Sequence, residues 1–164
     1  MKHIVSARRR CRQRGFTIIE LLVAMLVFGV LMFMAVPSFQ SAMDGNAIRS
    51  TTTDLVQSLN MARSQAVNLR RDDVKLEARD GDWANGWTLV FPAGTQEEDQ
   101  SFRPHARASV SLASGSVGVI NFSRLGIAAP EAEFLVCLGG SGEVGRKVSV
   151  SRFGKVTNEH YTCD

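Results

Sequence analysis

The sequence predicts an α+β fold, with one long amino-terminal helix followed by a small antiparallel β domain. Three observations carry this reading. The first is an apolar run from Phe16 to Phe39, interrupted only by Thr17, Glu20 and Ser38. The second is the series Ile48, Thr52, Leu55, Leu59, Ala62, Ala66 and Leu69, whose alternating steps of four and three fall on one face of a helix. The third begins at Val74, where short segments alternate apolar and polar residues between turn-forming clusters. A helix followed by a run of strands is the pattern of an α+β domain.

At the start of the chain, Met1–Gly15 holds Lys2, Arg8, Arg9, Arg10, Arg12 and Arg14 and no acidic residue. Without that stretch, 13 of the 19 basic residues face all 16 acidic ones, a net charge of −3 in place of the whole chain's +3. The basic balance is therefore a property of the leader and no argument for a nucleic-acid partner. Positive charge before an apolar run holds that end in the cytoplasm and sends the carboxyl end across the membrane.

Thirteen residues of the Leu, Ile, Phe and Val types lie between Phe16 and Val36. They favour insertion by about 4 to 8 kcal/mol, against roughly 3 kcal/mol for one acidic group near the bilayer centre. Insertion wins, and Glu20 is left as an intramembrane carboxylate in need of a partner. A cleaved secretory signal would have a shorter apolar core and a small-x-small cleavage site, whereas the run here is long and Phe33-Met34-Ala35 is a poor site. A plain single-pass anchor suits the length. Neither alternative accounts for Gly15-Phe16 and Glu20 together.

Gly15-Phe16-Thr17-Ile18-Ile19-Glu20-Leu21-Leu22 resembles the prepilin signal of type IV pilins and type II secretion pseudopilins. The resemblance implies cleavage between Gly15 and Phe16 by a prepilin peptidase, N-methylation of Phe16, and pairing of Glu20 with the amino terminus of a neighbouring subunit during assembly. Pro37 matches the helix-bending proline common in that family. The implied partners are other pilins or pseudopilins, the prepilin peptidase, an inner-membrane assembly platform and membrane lipid. The implied location is the bacterial inner membrane, as a single pass with a periplasmic carboxyl-terminal domain, and then a pilus or pseudopilus.

Past Pro37, Asp44-Gly45-Asn46 is expected to loosen the helix. One helix from Phe16 to Asn68 would span about 80 Å at about 1.5 Å per residue, more than a small domain can bury. Its first half must lie in lipid or against other copies, and its second half should pack the stripe on a sheet. Arg70-Arg71-Asp72-Asp73 ends it. Strands are expected at Val74–Ala78, Trp87–Phe91, Ala108–Leu112, Val117–Phe122 and Phe134–Leu138, with a closing hairpin from Val148-Ser149-Val150 around Gly154. That makes about six strands. Asp80-Gly81-Asp82 and Pro92-Ala93-Gly94 are turns, Gln96–Gln100 is an acidic loop, and Gly139-Gly140-Ser141-Gly142 is flexible. No internal repeat or long low-complexity segment is evident.

The second half is similar to the GspH/FimT group of minor pilins and pseudopilins. The likeness is carried by Trp83-Ala84-Asn85-Gly86-Trp87-Thr88-Leu89-Val90-Phe91, Ile120-Asn121-Phe122 followed by Gly126, Cys137, Arg146–Ser151, Gly154 and Cys163. Read from the residues alone, the two tryptophans fill a core corner and Gly86 lets the backbone turn. The organisation is then a removable leader over 1–15, a transmembrane or filament-core helix over 16–38, its amphipathic continuation over 39–70, and a periplasmic β-rich domain over 71–164.

Cys11 falls in the leader, which leaves Cys137 and Cys163 as an even pair in an oxidising compartment. A disulfide is expected, with two buried free thiols as the alternative. Two cysteines make a poor zinc site, and neither His105 nor His160 has ligand-spaced neighbours. No nucleophile motif or phosphate-cradling loop is present, so no catalytic residue, metal or cofactor is assigned. The function implied is that of a structural filament subunit, not an enzyme.

The alternative, again by resemblance, is a FimT-like DNA-binding minor pilin for DNA uptake, whose basic G-R-x-R loop matches Gly154-Lys155-Val156-Thr157 here. Lysine replaces one arginine and threonine the other, so the bidentate fork is missing. Arg146, Lys147, Arg152 and Lys155 are the candidate phosphate contacts, in a stretch free of acids from Gly145 to Asn158. The competing reading is a solvated hairpin on an acidic domain.

Overall fold

The computed structural model describes residues 15–115, 117–139 and 144–163, with the side chains of 34–38 excluded. The basic leader, with Cys11 and His3, and the glycine-rich 140–142 stretch lie outside the described residues. Two compact units are distinguished, 1–40 and 41–164.

Helix α1 runs from Ile18 to Leu69 and continues through Pro37 and Asp44-Gly45-Asn46, so the expected loosening at Gly45 does not occur. The reason lies on either side of that glycine. Ala47 and Ile48 are buried, and Asp44 is held by Arg107 at 2.9 Å. These contacts outweigh the roughly 1 kcal/mol that a mid-helix glycine costs. The helix ends at Arg70, which takes a left-handed φ of 54°. The Arg71 N–H donates to Ala66 O at 3.1 Å and the Arg70 N–H to Val67 O at 3.2 Å. This is a Schellman cap with arginine where glycine is usual.

Nine strands follow among the described residues, against about six expected. They are β1 (Val74–Ala78), β2 (Trp87–Val90), β3 (Gln100–Phe102), β4 (Ala108–Leu112), β5 (Val119–Phe122), β6 (Ala128–Ala129), β7 (Ala132–Leu138), β8 (Val144–Val150) and β9 (Val156–Thr162). They form an antiparallel five-stranded sheet in the order β3-β2-β1-β5-β6 and a four-stranded sheet in the order β4-β7-β8-β9. The strands missing from the sequence reading are β3 and β6, both edge strands, while β9 is the second arm of the expected hairpin around Gly154 and is an edge strand too. β9 (Val156-Thr157-Asn158-Glu159-His160-Tyr161-Thr162) is mostly polar and carries no alternation, because a mostly exposed edge need not bury one face.

The predicted helical stripe packs as expected. Leu55, Leu59, Ala62 and Ala66 are fully buried in one core with Leu76, Leu89, Ile120, Phe122, Phe134, Val136 and Val148 from both sheets. The Trp87 indole N–H donates to Ser58 Oγ at 2.8 Å, and that hydroxyl donates to Leu55 O at 2.9 Å, so the polar atoms inside this corner satisfy each other. Trp83 stands edge-on to Phe134 with ring centroids 4.7 Å apart. Gly86 has a φ of 107°, and a Cβ there would strike the Phe102 carbonyl. Its place between the tryptophans is a steric requirement.

Cys137 and Cys163 are joined in a disulfide. Cys137 is the penultimate residue of β7 and Cys163 follows β9, so the bridge straddles the intervening strand β8 at Gly145. A Cβ at Gly145 would collide with the Cys163 sulfur, and would lie 2.7 Å from Val136 O and 3.1 Å from Cys137 Sγ. The bridge closes a sequence separation of 26. Gly145→Val should therefore leave Cys137 and Cys163 open to alkylation, where the wild-type chain reacts only at Cys11 if the leader is retained. It should also lower the unfolding free energy by about 3 kcal/mol in a urea titration. A fully bridged variant of unchanged stability would contradict this account of Gly145.

Candidate functional site

The amino-terminal segment is built on a helix cap. Thr17 precedes the first helical residue, and its Oγ1 accepts the Glu20 N–H at 3.3 Å while its carbonyl accepts the Leu21 N–H at 3.1 Å. Thr17-x-x-Glu20 has the spacing of a capping box, a signal present in the sequence that the prepilin reading overlooks. Glu20 thus sits in the first turn, where the helix dipole favours a carboxylate by about 0.3 to 1 kcal/mol. That is less than the roughly 3 kcal/mol an acidic group costs in a bilayer. Among the described residues the Glu20 carboxylate forms no ion pair.

The surface around Glu20 is apolar. From Phe16 to Phe33 every large apolar side chain is about half-exposed or more, from 49% at Met32 to 85% at Phe33. A helix apolar on all sides has no polar face to turn to water, so it requires an apolar environment that the described residues do not provide. Among the described residues no helix is long and apolar enough to cross a membrane.

The structure divides the four cations that the sequence places on one hairpin. Arg146 and Lys147 are adjacent in β8 and so point to opposite faces of the sheet. The Lys147 ammonium lies 2.9 Å from Glu133 on β7 and sits across from Glu159 on β9. Arg146 lines a cleft of about 770 Å³ with Asp44, Arg49 and His160. Arg152 and Lys155 stand at the β8–β9 turn, both exposed. The acid-free stretch of sequence acquires its acids from neighbouring strands, and the cations form no single phosphate track. Elsewhere, the His105 backbone N–H donates to Thr51 Oγ1 at 2.9 Å. Among the described residues no three His, Cys, Asp or Glu side chains are grouped to hold a metal.

Comparison with known proteins gives a consistent picture. Residues 51–154 match the family described as Type II transport protein GspH, and residues 10–36 match the prokaryotic N-terminal methylation motif. Two crystal structures of the type IV minor pilin FimU from Pseudomonas aeruginosa are similar to this chain. One is 28% identical over 68% of this chain and 91% of that one, with a TM-score of 0.55. The other is 27% identical over 71% and 90%, with a TM-score of 0.59. No curated protein matches the sequence.

The Lys147–Glu133 pair carries a pH signature. The hydrogen bond that the Lys147 ammonium donates to Glu133, the largest cause, together with the charges of Glu133, Glu159 and Tyr161, holds that ammonium above the ordinary lysine value against the opposing effect of burial. A raised folded-state value means that the pair's contribution is complete below the unfolded lysine value and is lost as pH rises through the folded one. Glu133→Gln should return the Lys147 titration, followed by NMR at Nζ, toward that of a free lysine. An unchanged titration in the variant would remove Glu133 as the cause.

Proposed function

The chain belongs to the GspH family of type II transport proteins and is a minor pilin or pseudopilin of the type IV filament systems; on that premise we propose that Gly15, Phe16 and Glu20 carry its processing and assembly. The observation behind this reading is the conjunction of a capped helix start, a first-turn carboxylate with no ion-pair partner among the described residues, and an all-round apolar surface behind it. A prepilin peptidase would cut between Gly15 and Phe16, both exposed and ahead of the helix, and the new Phe16 amine would be methylated. The run from Phe16 to Val36 would hold the precursor in the inner membrane as a single pass with the β domain in the periplasm.

In assembly, the Glu20 carboxylate would meet the positive Phe16 amine of a neighbouring subunit. A compensated charge in an apolar medium costs far less than a lone one, and the cap's fraction of a kcal/mol cannot substitute for that partner. The helix would then leave lipid for the filament core, delivered by an inner-membrane assembly platform. The role is structural rather than catalytic. FimU, the similar protein of known structure, is a type IV minor pilin, which supports a type IV pilus as the machine served. The family description supports the secretion pseudopilus as the second reading.

Gly15→Leu should leave a precursor that retains the leader, seen as a larger species on an immunoblot. Glu20→Gln keeps a side chain compatible with the cap but removes the charge. It should be processed normally and yet be largely absent from sheared filaments, and wild-type incorporation would refute the pairing role. Deleting the gene should reduce surface pili and spare exoprotein release; normal pili with exoproteins trapped in the periplasm would instead assign the chain to the secretion pseudopilus.

A further inference from the structure

Ser123-Arg124-Leu125-Gly126 joins β5 to β6, and Ser151-Arg152-Phe153-Gly154 joins β8 to β9. The two turns share one hydrogen-bond plan. The serine carbonyl accepts the glycine N–H, at 2.7 and 2.8 Å. The serine Oγ accepts the N–H of the residue after the glycine, Ile127 or Lys155, at 3.2 Å in both. The arginine backbone N–H donates to a carboxylate, Asp72 at 2.9 Å and Glu131 at 2.8 Å. Both glycines are left-handed, with φ of 74° and 68°. The plan uses the serine, the glycine, the two carboxylates and backbone groups. It places no demand on the side chains at the two middle positions, yet both turns carry an arginine there followed by a large apolar residue.

The turns are also fixed to each other. The Ala128 N–H donates to Arg152 O at 2.9 Å, and a Cβ on Gly154 would collide with Gly126 O. Arg63 of α1 joins them, its Nε donating to Gly126 O at 3.2 Å. Leu125 and Phe153 are thereby held on an ordered backbone at 76% and 78% exposure. Arg124 lies 3.7 Å from Asp72, and Arg152 and Lys155 have no ion-pair partner among the described residues. Aromatic and arginine side chains whose backbone is already ordered lose little freedom on binding, which is why they dominate the energetics of protein interfaces.

The charge of this face selects its occupant. Among the described residues, Arg63, Arg124, Arg152 and Lys155 stand at the turns against Asp72 and Glu131, four cations against two carboxylates, a net of +2. The chain after Gly15 has the opposite balance, 13 basic against 16 acidic residues. A surface that covers the turns must bring an apolar seat for Leu125 and Phe153 and carboxylates for the cations around them. A nucleic acid brings charge but leaves both apolar tips in water. An anionic bilayer brings both, but the turns meet α1 at Arg63, 22 residues and about 33 Å along the helix from Ser41, the first residue of this unit after the apolar run. A protein with an acidic, apolar-centred face fits. The neighbours of a minor subunit in a filament are subunits of other sequence.

We propose that the paired Ser-Arg-Leu-Gly and Ser-Arg-Phe-Gly turns dock a different pilin-type subunit, one that seats Leu125 and Phe153 in an apolar hollow rimmed by carboxylates. The proposal rests on the filament reading above and adds to it the surface and the chemistry of the neighbour. It is tested with the full-length chain in its native cells, using a photo-cross-linking amino acid in place of Phe153. The expected result is an adduct with a chain of other sequence that itself begins at an N-methylated residue, cross-linked within a peptide that contains Asp or Glu. The yield should fall about tenfold or more with Arg152→Glu and Lys155→Glu together, and recover when the acidic residues of that peptide are changed to lysine. Recovery by charge exchange also shows that the variants fold. No adduct, an adduct with a second copy, with lipid, with nucleic acid or with a protein lacking the methylated terminus, or a yield indifferent to charge reversal would overturn the docking. If the chain in such a negative sample has lost its leader, the docking falls alone; if the leader is intact, the filament reading falls with it.

Discussion

A carboxylate with no ion-pair partner among the described residues, at the head of a helix that is apolar on every side, is the constraint on which the rest of this structure depends. Neither feature is stable in water, and neither is resolved within the described residues. The cap supplied by Thr17 starts the helix at a defined residue and fixes Glu20 in the first turn. It leaves the side chain free, because the capping contact runs through the Glu20 backbone N–H. The helix dipole contributes a fraction of a kcal/mol and desolvation removes several, so in an apolar medium the balance needs a positive group beside the carboxylate. On the proposed reading, the amine of a processed neighbour would be that group.

The second part of the same helix follows a different logic. From Ala47 onward it has an apolar face and a polar face, and the apolar face is covered by two antiparallel sheets. The devices that hold this unit together are steric. Gly86 admits the Phe102 carbonyl, Gly145 admits the disulfide, and Gly154 admits the Gly126 carbonyl beside Arg63. Each glycine stands where two backbone segments, or a backbone and a bridge, approach too closely for a Cβ. The disulfide ties the chain's end back across β8, so the edge strand β9 is restrained at both ends, by the turn at Gly154 and by Cys163.

Much of this was legible in the sequence. The helical stripe from Ile48 to Leu69, the alternation in β1 and β2 and the Trp83–Trp87 corner were read correctly, because burial on one face imposes a period. The prepilin signal was legible for a different reason: Glu20 violates the chemistry of an ordinary apolar run. The edge strands β3 and β6 carry no such imprint, since few of their residues are buried, and β9 was legible only through the turn at Gly154. The continuity of α1 through Gly45 was hidden because Arg107, far along the chain, supplies the contact to Asp44. The charge environment of Lys147 was hidden likewise, since Glu133 reaches it only through sheet register. Local composition reports neither pairing nor register.

The measurement that bears most directly on the whole account is the mass of the amino-terminal peptide of the chain isolated from its native cells. A peptide that begins at Phe16 and carries one additional methyl group is the predicted result. It would establish that the capped helix start is the mature terminus and that the Phe16 amine exists to meet Glu20. A chain that begins at Met1, or one cut beyond Phe33, would contradict the account, since neither would present that amine at the head of the apolar helix.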